Sequence, residues 1–190
     1  TTLRFAAGII VLPMRNMPVL AKQVATLDQL SGGRVILGVG TGAYREEYEA
    51  LFPDARDVRR GTIVDEGMQA LRLLFTERRA TFRGRAVHFE EVECFPKPVQ
   101  TPMPIYAGGN HAEVRRRAGQ YAQGWMPAVL SVEEIERGVA DVHRAAAAAG
   151  RDGSAIDIAP QFAVSIGRTH DEAVRRFRAS QLFKHLESLK

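Results

Sequence analysis

Apolar positions along the chain keep two rhythms that alternate. Positions 3–12 form an apolar, partly β-branched run, which predicts a buried strand. Pro18 then opens a stretch with Val19, Leu20, Val24, Leu27 and Leu30 on one helical face, and Ser31-Gly32-Gly33 stops it. Positions 35–39 predict a second buried strand that runs into Gly38-x-Gly40-x-Gly42. A helical stretch starts near Arg45 and a loop falls at Pro53. The next helix is marked by Ile63, Val64, Met68, Leu71, Leu74 and Phe75.

The second half repeats the alternation after an interruption. Positions 80–89 alternate around Gly84 and predict a small hairpin outside the main repeat. Pro96-Lys97-Pro98-x-x-x-Pro102-x-Pro104 reads as an extended linker. A short third strand is expected at 105–107, closed by Gly108-Gly109, with Asn110-x-x-Glu113 as the capping box of the following helix over Val114, Ala118 and Tyr121. A fourth strand is expected at 124–129. Ser131-x-x-Glu134 then caps a helix whose Val132, Ile135, Val139, Val142 and Ala146 keep three-and-four spacing up to Gly150. A fifth strand is expected at 156–166, and Thr169-x-x-Glu172 caps the last helix. Strand and helix in strict alternation imply parallel strands joined by right-handed crossovers. An open doubly wound sheet and part of an eight-stranded barrel both fit. The chain has no G-x-G-x-x-G with an acidic residue about 20 positions on, which weighs against a dinucleotide-binding sheet.

Composition narrows the class. Hydrophobic residues make up 45% and charged residues 25%, so a packed core is expected rather than disorder. No apolar run reaches the ~18 residues of a membrane helix, and no signal peptide is visible. The chain opens Thr1-Thr2-Leu3 without a Met, so the native start is expected upstream. The net charge of +4 raises the question of nucleic acid. The arginines lie on several helices (Arg56, Arg59, Arg60; Arg115, Arg116, Arg117; Arg175, Arg176, Arg178), interleaved with acids and without an aromatic platform. Solvated helix faces are the expectation, with no nucleic-acid and no membrane partner. The one cysteine, Cys94, excludes an internal disulfide and fits a cytoplasmic protein. It reads as a buried strand-end residue rather than a catalytic thiol.

Three segments have the character of ligand sites. Thr41, Gly42, Ala43 and Tyr44 follow a strand and precede a helix, where glycines let the backbone approach a phosphate. A tight strand-to-helix turn without ligand explains the same residues equally well. Ala107, Gly108, Gly109, Asn110 and His111 repeat the arrangement at the next main strand, and there a capped helix relieved of crowding is the plain alternative. Two such turns at successive strand ends would both face the C-terminal mouth of a barrel, where active sites sit. Gly8, inside a strand at Ile9 and Ile10, signals a bulge or a close backbone approach. The histidines His88, His111, His143, His170 and His185 show no metal-ligand spacing, so no metal is expected. Tyr106 and Trp125 read as core residues.

The run Pro18–Gly40, with its helix, Ser31-Gly32-Gly33-Arg34 turn and glycine-rich strand, resembles the bacterial-luciferase-like superfamily of flavin- and deazaflavin-dependent oxidoreductases. Phe95-Pro96-Lys97-Pro98-Val99-Gln100, Pro104-Ile105-Tyr106-Ala107-Gly108-Gly109 and Gly124-Trp125 support the likeness, which runs over nearly the whole chain. It implies a single α/β domain of (β/α)8 TIM-barrel type, with about five of the eight strands present in this chain and both ends of the barrel lacking. It also implies a redox ring at the C-terminal mouth. Ile9 and Ile10 fall where the family often has a non-proline cis peptide behind that ring. Thr41 to Tyr44 and Ala107 to His111 fall where cofactor contacts are made. Coenzyme F420 is the implied cofactor, from the likeness of the Gly38–Gly42 and Ala107–Asn110 turns to that branch, with FMN as the alternative. The implied function is hydride transfer with a small-molecule substrate, or an FMN-dependent monooxygenase reaction, in a protein that also fits a homodimer. A barrel that binds cofactor without turnover and a phosphate-binding barrel lyase or isomerase remain open. No catalytic acid or base is assigned. Many relatives have Asp where this chain has Gln123, and no functional consequence follows from the sequence.

Overall fold

The computed structural model describes residues 2–55 and 58–188, so Arg56 lies outside the described residues. The chain divides into two compact units, Thr1–Pro160 and Gln161–Lys190. In chain order the first unit carries β1 (Phe5–Val11), α1 (Met17–Ser31), β2 (Val35–Gly40), α2 (Arg45–Leu51), α3 (Arg60–Thr76), β3 (Ala80–Arg83), β4 (His88–Val92), β5 (Ile105–Gly108), α4 (Ala112–Tyr121), β6 (Gly124–Met126), α5 (Val132–Ala148) and β7 (Asp157–Ile158). The second unit carries α6 (His170–Arg178) and α7 (Gln181–Ser188).

Five strands form one parallel sheet in the order β1-β2-β5-β6-β7, while β3 and β4 pair antiparallel as the expected hairpin. The α/β class and the parallel neighbours are as the alternation predicts. The sheet is open, with one neighbour each for β1 and β7. Side chains alternate across it, as strand geometry requires. Leu37, Val39, Ile105, Ala107 and Trp125 join α1, α3, α4 and α5 in the main core. Ile36, Tyr106 and Met126 form a second, smaller cluster with Ile9 and Ala159. This second face is turned away from the helices and would be the interior of a closed barrel.

Several boundaries differ from the sequence reading. The run at 3–12 is an edge strand, not a buried one, and Leu3 and Phe5 are exposed. On α1 the buried stripe is Met17, Leu20, Ala21, Val24, Ala25 and Asp28, while Val19, Leu27 and Leu30 face outward. That helix is apolar on two adjacent faces, so periodicity alone selects the wrong one. The fourth strand stops at Met126, before Pro127. The fifth shrinks from 156–166 to two residues. Its ladder ends with one further bond, Ala159 N–H to Trp125 O at 2.8 Å. Pro160 then has no N–H with which to continue it.

Polar clamps lock the layers together, and they occupy the segments that carry the family resemblance. Asp28 is fully buried in α1 and accepts hydrogen bonds from Gln100 N–H at 3.0 Å and Gln100 Nε2 at 2.7 Å. Gln100 Nε2 also donates to Val35 O. Lys97 Nζ donates to Leu74 O and Glu77 O, closing the end of α3. Gly32, left-handed at φ 66°, ends α1 by donating to Asp28 O and Gln29 O. The Asp28, glycine-turn and Pro-Lys-Pro-Val-Gln motifs are therefore one structural joint between α1, α3 and the approach to β5.

The arginines also depart from expectation. Arg117 is buried and ion-paired to Asp65 of α3, Arg116 reaches the same carboxylate, and Arg115 pairs with Asp141 of α5. Consecutive arginines on α4 thus tie it to both flanking helices instead of forming a solvated face.

Candidate functional site

The turns after β2 and β5 open at the same end of the sheet. The strands are parallel and in register at Val39 and Ala107, so Thr41 and Gly109 both lie just beyond their C-terminal ends. Around them the backbone is unusually close-packed. The register between β1 and β2 shifts between Ala7 and Ile10, and a non-proline cis peptide joins Gly8 to Ile9 within that irregularity. The bulge signalled by Gly8 is therefore present, and it separates the two isoleucines. Ile10 packs toward the helix-facing core, while Ile9 joins the interior cluster. A β-carbon on Gly40 would stand 3.0 Å from Ile9 Cδ1 and 3.3 Å from Gly108 O, and one on Gly108 would overlap Ile9 Cγ2. The glycines at 40 and 108 make room for Ile9, which forms a floor across three strand ends.

The turn at 41–44 is held from behind. Arg60 Nη1 donates to Thr41 O at 3.2 Å, Gly42 O at 3.3 Å and Tyr44 O at 3.1 Å. With the carbonyls engaged there, the N–H groups of Gly42 and Ala43 have no hydrogen-bond partner among the described residues. Gly42 is left-handed at φ 78°, and a β-carbon there would meet Val11 Cγ1 at 2.8 Å. Its glycine is required by the turn itself.

The turn at 108–111 overturns the capping-box expectation. Asn110 does not cap α4. Its side chain donates to Ala128 O and accepts from Ala128 N–H, each at 2.9 Å, and so ties the β5 turn to the β6 turn. Glu113 pairs with Arg116 at 2.8 Å rather than reaching back. The cap position is His111, which makes no side-chain hydrogen bond to the helix. Gly109 is fixed at both ends: its N–H donates to Met126 O at 3.1 Å and its O accepts from Trp125 Nε1 at 2.9 Å. The start of α4 is left without a side-chain acceptor, whereas α1 and α5 are capped by Asn16 and Ser131. Unsatisfied N–H groups at a helix start favour an anion.

One interior feature escaped the sequence reading. The Tyr106 ring lies against Gly124, where a β-carbon would be 2.7 Å from ring atoms, and its hydroxyl donates to the Asp157 carboxylate. Burial first, and the Asp157 charge with it, push the phenol up to about 12. The pair shares a rung with Gly38, below the mouth. Only the glycine at 124 hints at it, by opening a path from one strand to the next but one. Gln123, where many relatives have Asp, accepts from Ile105 N–H at 3.1 Å and so serves the strand register. Trp125 and Cys94 are buried as expected, with burial raising the thiol's pKa. Among the described residues no three His, Cys, Asp or Glu side chains come together as a metal site, and no helix is long and apolar enough to cross a membrane.

The family model described as luciferase-like monooxygenase matches residues 1–187. An uncharacterized protein of Mycobacterium tuberculosis is 37% identical over 152 residues, covering 80% of this chain and 51% of that protein. The FMNH2-dependent dimethylsulfone monooxygenase of Pseudomonas putida is 32% identical over 166 residues, covering 86% of this chain and 45% of that protein. The chain thus spans about half the length of these curated relatives. Among solved structures, an F420-dependent secondary alcohol dehydrogenase superposes with a TM-score of 0.81 at 23% identity, covering 92% of this chain and 54% of that one.

Proposed function

We propose that this chain, which belongs to the luciferase-like monooxygenase family, forms the phosphate-holding part of an oxidoreductase built around a flavin-type redox ring. The observation that carries the proposal is the pairing of open N–H donors at one end of the sheet. Gly42 and Ala43 supply them after β2, and the uncapped start of α4 supplies them after β5. Donors converging at strand C-termini suit a phosphorylated cofactor in a parallel α/β fold. When bound, such a cofactor supplies the hydride or oxygen chemistry. The chain's own residues position it. Arg60 and Asn110 fix the two turns, and Ile9 presents an apolar floor between them. Thr41, Tyr44, Gly108, Gly109 and His111 complete the contact surface in this reading, whereas Ala107 is buried in the helix-facing core.

F420 is the first cofactor of the proposal, on the likeness of the Gly38–Gly42 and Ala107–Asn110 turns to that branch. FMN is the second, and the identity to an FMNH2-dependent monooxygenase favours it. A small organic molecule is the substrate in either case, in a cytoplasmic protein. Titrating the protein with F420 and with FMN, each followed by visible absorption, tests the reading. Saturable binding of one is the expected result, and binding of neither would remove it. The variant Gly42→Val is expected to lose at least ~100-fold in affinity, since two hydrogen bonds to a charged acceptor are worth roughly 3–6 kcal/mol. A thermal melt beside it is needed, because φ 78° and the contact with Val11 also strain that variant.

A further inference from the structure

A cavity of about 530 Å3 lies away from the turns just described, between the segment after β1, α2, the start of α3 and the β3–β4 hairpin. That volume is within the usual range for small-molecule sites. Its walls are apolar and aromatic: Met14, Tyr48, Phe52, Ile63, Val87 and Phe89. The Tyr48 and Phe52 rings pack together with centroids 5.2 Å apart. Among the described residues no carboxylate lines the cavity. Two exposed arginines, Arg15 and Arg85, stand among them, and neither side chain forms a hydrogen bond or ion pair among the described residues. The third basic side chain, His88, faces Glu90 at 3.6 Å.

One carboxylate, Glu66, feels the charge of Arg85 and is itself engaged by backbone N–H groups. Glu66 accepts the N–H groups of Arg85, Ala86 and Val87 at 2.9, 2.8 and 2.9 Å. This pins the hairpin turn to α3 and fixes the wall that carries Arg85. On the opposite side, Asn16 caps α1 through Val19 N–H at 3.1 Å, which fixes the segment carrying Arg15. The segments carrying Arg15 and Arg85 are therefore both held in place, which lowers the ordering cost of a ligand. Two guanidinium groups without side-chain hydrogen bonds, of which Arg85 also feels the charge of Glu66, stand beside an apolar interior and complement a molecule with an apolar body and an anionic end.

We propose that this cavity is a second binding site, distinct from the cofactor turns, for a small amphipathic carboxylate. The apolar body lies against Tyr48, Phe52 and Phe89, and the carboxylate meets Arg15 and Arg85. No residue of 41–44 or 108–111 lines the cavity, so the site stands independently of the proposed cofactor.

Calorimetric titration with octanoate, octylamine and 1-octanol tests it. Octanoate is expected to bind at least about tenfold more tightly than octylamine. The double variant Arg15→Ala/Arg85→Ala is expected to lose about tenfold for octanoate while melting at the wild-type temperature, because both residues are exposed. Phe52→Asp, also at an exposed position, should weaken octanoate further by placing a like charge at the wall. Added FMN or F420 should leave octanoate binding unchanged. No octanoate binding, equal binding of octanoate and octylamine, an unaffected double variant, or displacement by either cofactor would each overturn the proposal.

Discussion

Ile9 occupies the space in which a β-carbon on Gly108 would stand, so a side chain from β1 crosses β2 and is accommodated by a glycine on β5. This contact gives the two glycine-rich turns a common floor, and it makes Gly108 a packing residue as well as a candidate contact. Gly108→Ala is expected to destabilise the protein by about 1–3 kcal/mol through overpacking. Combining it with Ile9→Ala should recover most of that loss in denaturant titrations. Additive losses in the double variant would show that the two side chains do not compete for one space.

The Asp28–Gln100 joint is expected to be structural. Asp28→Ala leaves the Gln100 donors without their acceptor in a buried setting, at a cost of about 1–3 kcal/mol. For a chain of this size the melting temperature should fall by roughly 3–10 °C. Gln100→Ala should add little on top of Asp28→Ala, since both remove the same interaction. Because this joint lies at the C-terminal end of α1 and before β5, cofactor affinity in the folded variant should stay unchanged.

Much of this was readable from the residues, and the failures have physical causes. The period of apolar positions is set by local geometry, so β2, α3, α5 and the β3–β4 hairpin stand where the pattern placed them. The turn glycines at 40, 42, 108 and 109 signalled tight backbone without saying against what. Their neighbour Ile9 comes from a strand whose bulge shifts its register. Asn110-x-x-Glu113 fits a capping box locally, but a distant partner, Ala128, captures the asparagine and Arg116 takes the glutamate. Leu27 and Leu30 looked like core because a helix pattern cannot tell which of two apolar faces the sheet covers. Tyr106 and Asp157 are 51 residues apart, and their meeting depends on strand order, which no local pattern encodes.

The Tyr106–Asp157 pair sets a pH dependence at the alkaline end. The phenol's pKa is raised in the folded protein to about 12, above the ordinary ~10 of an unfolded chain. A raised folded value means the stabilisation is fully present below about pH 10 and is lost as pH rises from there through about 12. Tyr106→Phe should cost about 1 kcal/mol at neutral pH, through the lost hydrogen bond. It should also lack the decline in this alkaline window. Equal alkaline profiles for the wild type and the variant in chemical denaturation would contradict the assignment.

The Arg60 contacts predict a dynamic effect. Arg60→Ala removes the donor shared by three carbonyls of the 41–44 turn, so backbone NMR order parameters at Gly42 and Ala43 should fall while amide exchange in α3, held by its buried apolar stripe, keeps its protection. Unaltered order parameters in the turn would show that Arg60 does not hold it.

The central claim is that the β2 and β5 turns bind the phosphate of a redox cofactor. The most direct test is a calorimetric comparison of FMN with riboflavin, and of F420 with the same deazaflavin stripped of its phosphate tail. For at least one of these pairs the phosphorylated form should bind tighter by about 100-fold or more, the worth of two charge-assisted hydrogen bonds. Binding that is indifferent to the phosphate in both pairs would contradict the account.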